Sequence, residues 1–186
     1  KKYYLFIENT REFNLNLIKK RDKFNIIYRN QNKKEKFKNL FVFRKKCKEL
    51  CIKFFISNDT KLLIKLNADG LYISAHNKKL LLNRYNNIGY KIIGSAHNQK
   101  EITIKMKQGC EVIVLSRLFK TTYKEKSGYL GLLRFNNIAL KSGIELVPLG
   151  GINQENLKKM ETVNCNSIAC LSAIKKKPAK IINRLF

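Results

Sequence analysis

The sequence predicts a compact parallel (β/α)8 barrel. Eight short apolar runs recur along 186 residues, each followed by a stretch of helical period. Polar residues or glycines close nearly every run, as expected where strand ends form one working face. A doubly wound sheet is the alternative, but it usually has fewer strands for this length. The usual size of the fold is ~250 residues, so the loops must be short. The length suits one buried core and is too small for two domains with separate cores, so residues 1–186 are read as one barrel domain.

Strands are expected at Tyr3–Ile7, Asn25–Arg29, Lys53–Asn58, Gly70–Ser74, Lys91–Ala96, Glu111–Ser116, Glu145–Gly150 and Ser167–Ala173. Most are apolar throughout, as strands covered on both faces must be. Pro148 counts slightly against the seventh, because a prolyl nitrogen cannot donate to a ladder. Helical stretches follow at Leu15–Lys20, Glu35–Leu50, Lys61–Leu66, Lys79–Leu82, Gln99–Gln108, Leu132–Lys141, Glu155–Thr162 and Ala179–Leu185. Asn98 with Glu101 reads as a capping box, Asn153 as a cap after Gly150-Gly151-Ile152, and Pro178 as a first-turn proline.

Composition narrows the function classes. Lys and Arg number 39 against 13 Asp and Glu, a formal net charge of +26. Such a balance suits an anionic partner, nucleic acid or small phosphorylated molecules. The excess is nearly all lysine, spread along the chain with abundant Asn and Ile. That favours drift on solvated faces over a nucleic-acid footprint, since arginine is the better base reader. Five cysteines, an odd number, do not suggest a disulfide framework. Cys47 and Cys51 could share a helix face, but no matching pair completes a metal site; Cys110, Cys165 and Cys170 read as small core residues. No run approaches the ~20 apolar residues of a membrane span, and the opening apolar run is too short for a signal peptide. A reduced, cytoplasmic setting is expected. The chain opens on Lys1 rather than Met, so a trimmed or incomplete start is expected too. Nothing in the sequence sets the oligomeric state.

Reading only the strand ends and following loops gives Arg29, Asn58, Asp59, Ser74, Asn77, Ser95, His97, Ser116, Thr121, Lys124, Gly150, Gly151 and Ser172. Each has an ordinary use. Asn58 or Asp59 can cap a helix, Ser95 can turn the chain, His97 can be solvated, and Gly150-Gly151 can fit a tight turn. Their joint placement on one rim points further. The loops after the seventh and eighth strands commonly take a phosphate through backbone N–H groups. Arg29 and Lys124 add positive charge, and Asp59 suits a Mg2+ on a diphosphate. No carboxylate pair on this rim suits glycoside hydrolysis.

Six stretches, FFISND, ADGLYIS, IIGSAHN, VIVLSRLFKTTYK, VPLGGIN and SIACLSAI, stand in order between about Ile26 and Ile174. Together they resemble the thiamine-phosphate synthase and thiazole tautomerase superfamily. The resemblance implies a (β/α)8 barrel that couples hydroxymethylpyrimidine diphosphate to thiazole phosphate. The thiazole nitrogen attacks the pyrimidine methylene carbon as diphosphate leaves, with Mg2+ on the leaving group. It implies that Arg29 contacts diphosphate, Asn58 lies beside it, and Asp59 ligates Mg2+, with Asn77 at the second metal position. Ser95 and Thr121 would line the site, Lys124 would stabilise the leaving group, and Gly151 and Ser172 would lie in the thiazole-phosphate cradle. The family's Gln-x-Arg-x-Lys pattern reads Ile27-Tyr28-Arg29-Asn30-Gln31 here, its second metal-binding Asp is Asn77, and a usual glycine of the eighth strand is Ser167.

Three functions follow. The first is a thiamine-phosphate synthase. The second is a tautomerase-like isomerase moving a proton through His97, for which a near-neutral imidazole is suited. The third is a non-catalytic barrel that binds phosphates or nucleic acid through lysines, and it leaves the ordered rim unexplained.

Overall fold

A computed structural model of the chain describes residues 1–18, 21–30, 35–121, 128–153 and 155–170. Eight parallel strands close into a barrel in chain order: β1 (Lys2–Ile7), β2 (Phe24–Tyr28), β3 (Lys53–Ser57), β4 (Gly70–Ile73), β5 (Lys91–Ala96), β6 (Val112–Ser116), β7 (Glu145–Leu149) and β8 (Ser167–Cys170). The ring shuts where Lys2 to Leu5 pair with Ser167 to Cys170. Pro148 lies inside β7, in register with Leu115, while the β7–β8 pairing narrows to Leu149 opposite Ala169.

Alternation along each strand divides the apolar residues into two cores. Tyr4, Phe6, Ile27, Phe55, Tyr72, Ile93, Val114, Val147 and Ala169 fill the barrel interior. Phe6 and Tyr72 meet edge to face there, 5.2 Å between ring centroids, an arrangement the aromatic quadrupole favours. Their neighbours along the strands, such as Leu5, Ile26, Phe54, Leu71, Ile92, Ile113 and Leu146, face outward onto the helical layer. Both faces are covered, which is why the strands read as unbroken apolar runs.

The outer layer holds α1 (Phe37–Glu49), α2 (Thr60–Leu66), α3 (Arg84–Asn87), α4 (Gln99–Lys107) and α5 (Gly131–Lys141). α1 buries Leu40, Phe43 and Cys47, with Phe43 5.5 Å from the ring of Phe54. Cys51 does not share that face. The helix ends at Glu49, and Cys51 takes a left-handed φ of 56° and is exposed. Cys110 and Cys170 are buried as small core residues, while Cys165 is only half-buried.

Three expected helices are short segments of tighter pitch. Leu15–Leu17 is a 3-10 turn in which Leu15 and Ile18, three apart, both reach the core. That spacing is one 3-10 turn, so no longer helix is needed. Lys158–Thr162 is likewise 3-10. The expected Lys79–Leu82 helix is a 3-10 turn at Leu80–Asn83 that runs into α3. Ala179–Leu185 and Pro178 lie outside the described residues.

Candidate active site on the C-terminal rim

The strands end one residue earlier than expected at Arg29, Asn58, Ser74 and Gly150, and those residues form the rim. Asn58 adopts a left-handed φ of 57°, which Asn tolerates better than most residues. Its backbone N–H donates to Tyr72 O at 2.9 Å, and its side chain turns to the next strand. Oδ1 accepts from Ser74 N at 3.1 Å and from Asn77 Nδ2 at 3.0 Å, while Nδ2 donates to Ser74 Oγ at 3.0 Å. Asn77 Oδ1 in turn accepts from Lys79 N at 3.1 Å. Asn58, Ser74 and Asn77 thus form one closed bracket between the third and fourth strand ends.

Asp59 follows the turn and caps α2, its Oδ1 accepting from Leu62 N at 2.9 Å. The carboxylate is exposed. Both oxygen lone pairs of Asn58 Oδ1 are taken, and the Asn77 amide is committed on both sides. A magnesium ion needs few protein ligands, because it keeps several waters and leans on one or two carboxylates plus substrate phosphates. Asp59 is thus the residue of this corner that could hold a Mg2+, while the Asn77 amide is engaged in bracing the rim. No group of three His, Cys, Asp or Glu suited to a metal ion occurs among the described residues.

Ser95, near the end of β5, is buried, with its hydroxyl beside the Tyr72 phenol. Burial pushes the Tyr72 phenol up, while Ser95 and the Arg29 guanidinium pull it back. Arg29 therefore lies within electrostatic reach of the barrel mouth. Beside it, Asn30 Nδ2 donates to the Tyr28 hydroxyl at 3.0 Å, and Glu35 accepts from Thr10 N at 3.1 Å.

His97 stands exposed above the same mouth. Its backbone N–H donates to Glu101 Oε2 at 2.7 Å, and its Nδ1 lies 3.0 Å from the same oxygen. The expected capping box is present in shifted form. Asn98 Oδ1 accepts from Glu101 N at 3.0 Å, while Glu101 reaches back to His97 rather than to Asn98. Burial pushes the Glu101 carboxyl up, but hydrogen bonds from His97 and the charges of His97 and His76 outweigh it and hold the carboxyl below its usual range. A carboxylate beside Nδ1 fixes the ring and does not engage Nε2. His76 lies 6.3 Å from His97 between ring centroids.

On the far side, Thr121 Oγ1 accepts from Arg117 Nη1 at 3.0 Å. Gly150 and Gly151 take φ of 103° and 71°. A Cβ on Gly151 would come within 2.6 Å of Lys120 O and 2.7 Å of the Phe119 carbonyl carbon, so only glycine lets this loop lie against the one after β6. Asn153 Oδ1 accepts from Glu155 N and Asn156 N, the expected cap, made over a turn. Lys124 and Ser172 lie outside the described residues.

The structure brings Arg29, Asn58, Asp59, Asn77, Ser95, His97, Thr121, Gly150 and Gly151 to strand ends and following loops of one face. Tyr72, Glu101 and Arg117 join the rim only in three dimensions. Tyr72 follows Asp69-Gly70 in a run that looks wholly apolar, and only its inward parity marks it. Glu101 was legible as a cap but not as the partner of His97. Arg117 follows the last residue of β6, a position that could have flagged it.

Fold and rim together define a (β/α)8 barrel whose candidate site occupies the C-terminal face. Residues 7–174 match the family model described as thiamine monophosphate synthase, and the chain belongs to that family. It is 32% identical over 130 residues to a thiamine-phosphate synthase of Prochlorococcus marinus, covering 69% of this chain and 37% of that protein. The match to the Persephonella marina thiamine-phosphate synthase is 29% over 153 residues, covering 80% and 73%. That to the Bacillus licheniformis protein of the same name is 32% over 133 residues, covering 70% and 59%. In fold it resembles a thiamine phosphate pyrophosphorylase from Pyrococcus furiosus, with TM-score 0.73, 19% identity and 100% and 96% of the two chains covered. It is equally close to 3-hexulose-6-phosphate synthase from Salmonella typhimurium, with TM-score 0.73, 12% identity and coverage of 100% and 96%.

Proposed function

We propose that this chain is a thiamine-phosphate synthase, joining hydroxymethylpyrimidine diphosphate to thiazole phosphate with release of diphosphate. The family membership supports the chemistry, and the Asn58-Asp59 corner carries the reading. A bracketed Asn58 delivers one exposed carboxylate to the rim beside β2, whose end Arg29 follows. The C–N bond forms from the thiazole nitrogen to the methylene carbon as the C–O bond to diphosphate breaks. No protein nucleophile is needed, so orientation and charge stabilisation supply the acceleration. Arg29 is read as holding diphosphate charge, and the buried Ser95–Tyr72 pair as the polar floor under the pyrimidine. Gly150 and Gly151 are read as backbone that lets the thiazole phosphate approach, with Thr121 and Arg117 beside it. Lys124 and Ser172 keep their sequence-based roles as proposals. When bound, Mg2+ supplies neutralising charge to the diphosphate, with Asp59 as its protein anchor. Five unpaired thiols suit a reducing, cytoplasmic setting, and among the described residues no helix is long and apolar enough to cross a membrane. Incubation of the purified protein with both substrates and Mg2+ should yield thiamine phosphate. No product above the uncatalysed background, beside a working control enzyme, refutes the proposal.

The His97–Glu101 pair favours a second reading, a tautomerase-like isomerase. A carboxylate-held imidazole on an exposed histidine just past β5 is suited to moving a proton. If His97→Ala leaves isomerisation of the thiazole phosphate untouched, this reading fails.

A further inference from the structure

Lys105 lies on α4 and is completely buried, with no exposed surface. Lysine is almost never found so unless paired. All three ammonium protons are used: Nζ donates to Ser74 O at 2.7 Å, to Asn77 O at 2.7 Å and to Gln108 Oε1 at 2.8 Å. Gln108, one turn on and also fully buried, donates through Nε2 to Asn77 O at 2.9 Å and Lys79 O at 3.1 Å. Three carbonyls of the loop after β4 are therefore tied down by side chains of α4 and of the residue that follows its last turn.

The barrel is built to admit this clamp. A Cβ on Gly94 of β5 would come within 2.9 Å of Lys105 Cδ and 3.0 Å of its Cγ, so the missing side chain is the space the lysine stem occupies. Cys110 borders the same space, 2.8 Å from that Cβ position. Core filling alone does not call for a lysine here, since a buried ammonium carries a desolvation penalty that methionine or leucine would avoid. The penalty is met by carbonyl dipoles, and those dipoles belong to the rim. The clamped loop carries Ser74 and Asn77, whose side chains and backbone make every side-chain bond of Asn58, the residue before Asp59.

We infer that Lys105, with Gln108, is a positioning residue. It fixes the 74–79 loop so that Ser74 and Asn77 hold Asn58 and set the direction in which Asp59 meets a diphosphate-bearing substrate. The inference rests on the synthase reading for its ligand, though the clamp itself does not.

The test compares wild type with Lys105→Met/Gln108→Leu and with the milder Gln108→Met. Amide hydrogen exchange reports the loop, and calorimetry with inorganic diphosphate, with and without Mg2+, reports the site. In the double variant the amides of Ile93 and Val114 should keep their protection, while those of Asn77 and Lys79 exchange at least tenfold faster. Diphosphate affinity in Mg2+ should fall at least tenfold. With the full substrates, KM for the pyrimidine diphosphate should rise by the same factor while kcat changes less than threefold. An unchanged loop overturns the clamp, and a loosened loop with unchanged affinity and KM overturns its role at the site. If the double variant fails to fold, Gln108→Met decides by the same readouts, joined by the slowly exchanging Lys105 ammonium signal in 15N spectra of the wild type. That signal should shift on addition of diphosphate and Mg2+, and a signal that stays put overturns the inference. A wild type that binds diphosphate through this loop yet makes no thiamine phosphate removes the synthase reading and leaves the positioning role standing.

Discussion

The observed cap and the proposed metal-binding role of Asp59 can be separated by one pair of substitutions. Its Oδ1 caps α2 through Leu62 N at 2.9 Å, and its charge faces the rim. Asn caps a helix about as well as Asp, whereas Ala removes the cap at a cost of about 0.5–2 kcal/mol. Asp59→Asn should therefore leave stability within a few tenths of a kcal/mol, and Asp59→Ala should lose about 1 kcal/mol, both read from urea denaturation. The charge is lost in both. Two unit charges 4 Å apart interact by about 1 kcal/mol in water and about 4 kcal/mol near a protein surface. At 1.4 kcal/mol per tenfold, that range is roughly fivefold to nearly a thousandfold in affinity. Calorimetry with the pyrimidine diphosphate should show both variants weakened by at least about fivefold in Mg2+ and hardly at all without it. If Asp59→Asn binds the Mg2+-loaded substrate within about twofold of wild type, Asp59 is only a cap and the metal assignment is wrong.

Three further outcomes are expected. Gly151→Ala forces a Cβ to within 2.6 Å of backbone at a φ of 71°, so it should destabilise by at least about 2 kcal/mol in urea denaturation; a loss below about 0.5 kcal/mol contradicts the packing described. Tyr72→Phe removes a buried hydroxyl beside Ser95 and should cost about 1–3 kcal/mol by the same measurement, with a neutral result counting against the polar floor. The Glu101 carboxyl is held below its usual range, so its contribution is complete above the unfolded value of about 4.3 and is lost as pH falls through the lower folded value. Tm should therefore decline more steeply with acid in wild type than in Glu101→Gln, and equal slopes between about pH 5 and pH 3 refute the pairing with His97.

The sequence by itself determined the barrel and most of its rim. Strands covered on both faces write continuous apolar runs, and the residues just past those runs have nowhere to go but the rim, so Arg29, Asn58, Ser95 and Gly150 were legible from local order. The segments near Leu15 and Lys158 read as helices in sequence yet are 3-10, because short apolar spacing of three serves either form. Only the tertiary structure decided what the rim residues do to one another. Asn77 looked like a weakened metal ligand, yet closure of the barrel sets its amide against Asn58, 19 positions earlier. Lys105 looked like one more solvated lysine of a basic chain, yet its partners Ser74 and Asn77 lie 31 and 28 positions away. Hydrogen-bond partners at such separations are fixed by strand order and closure, which no local pattern of residue types encodes.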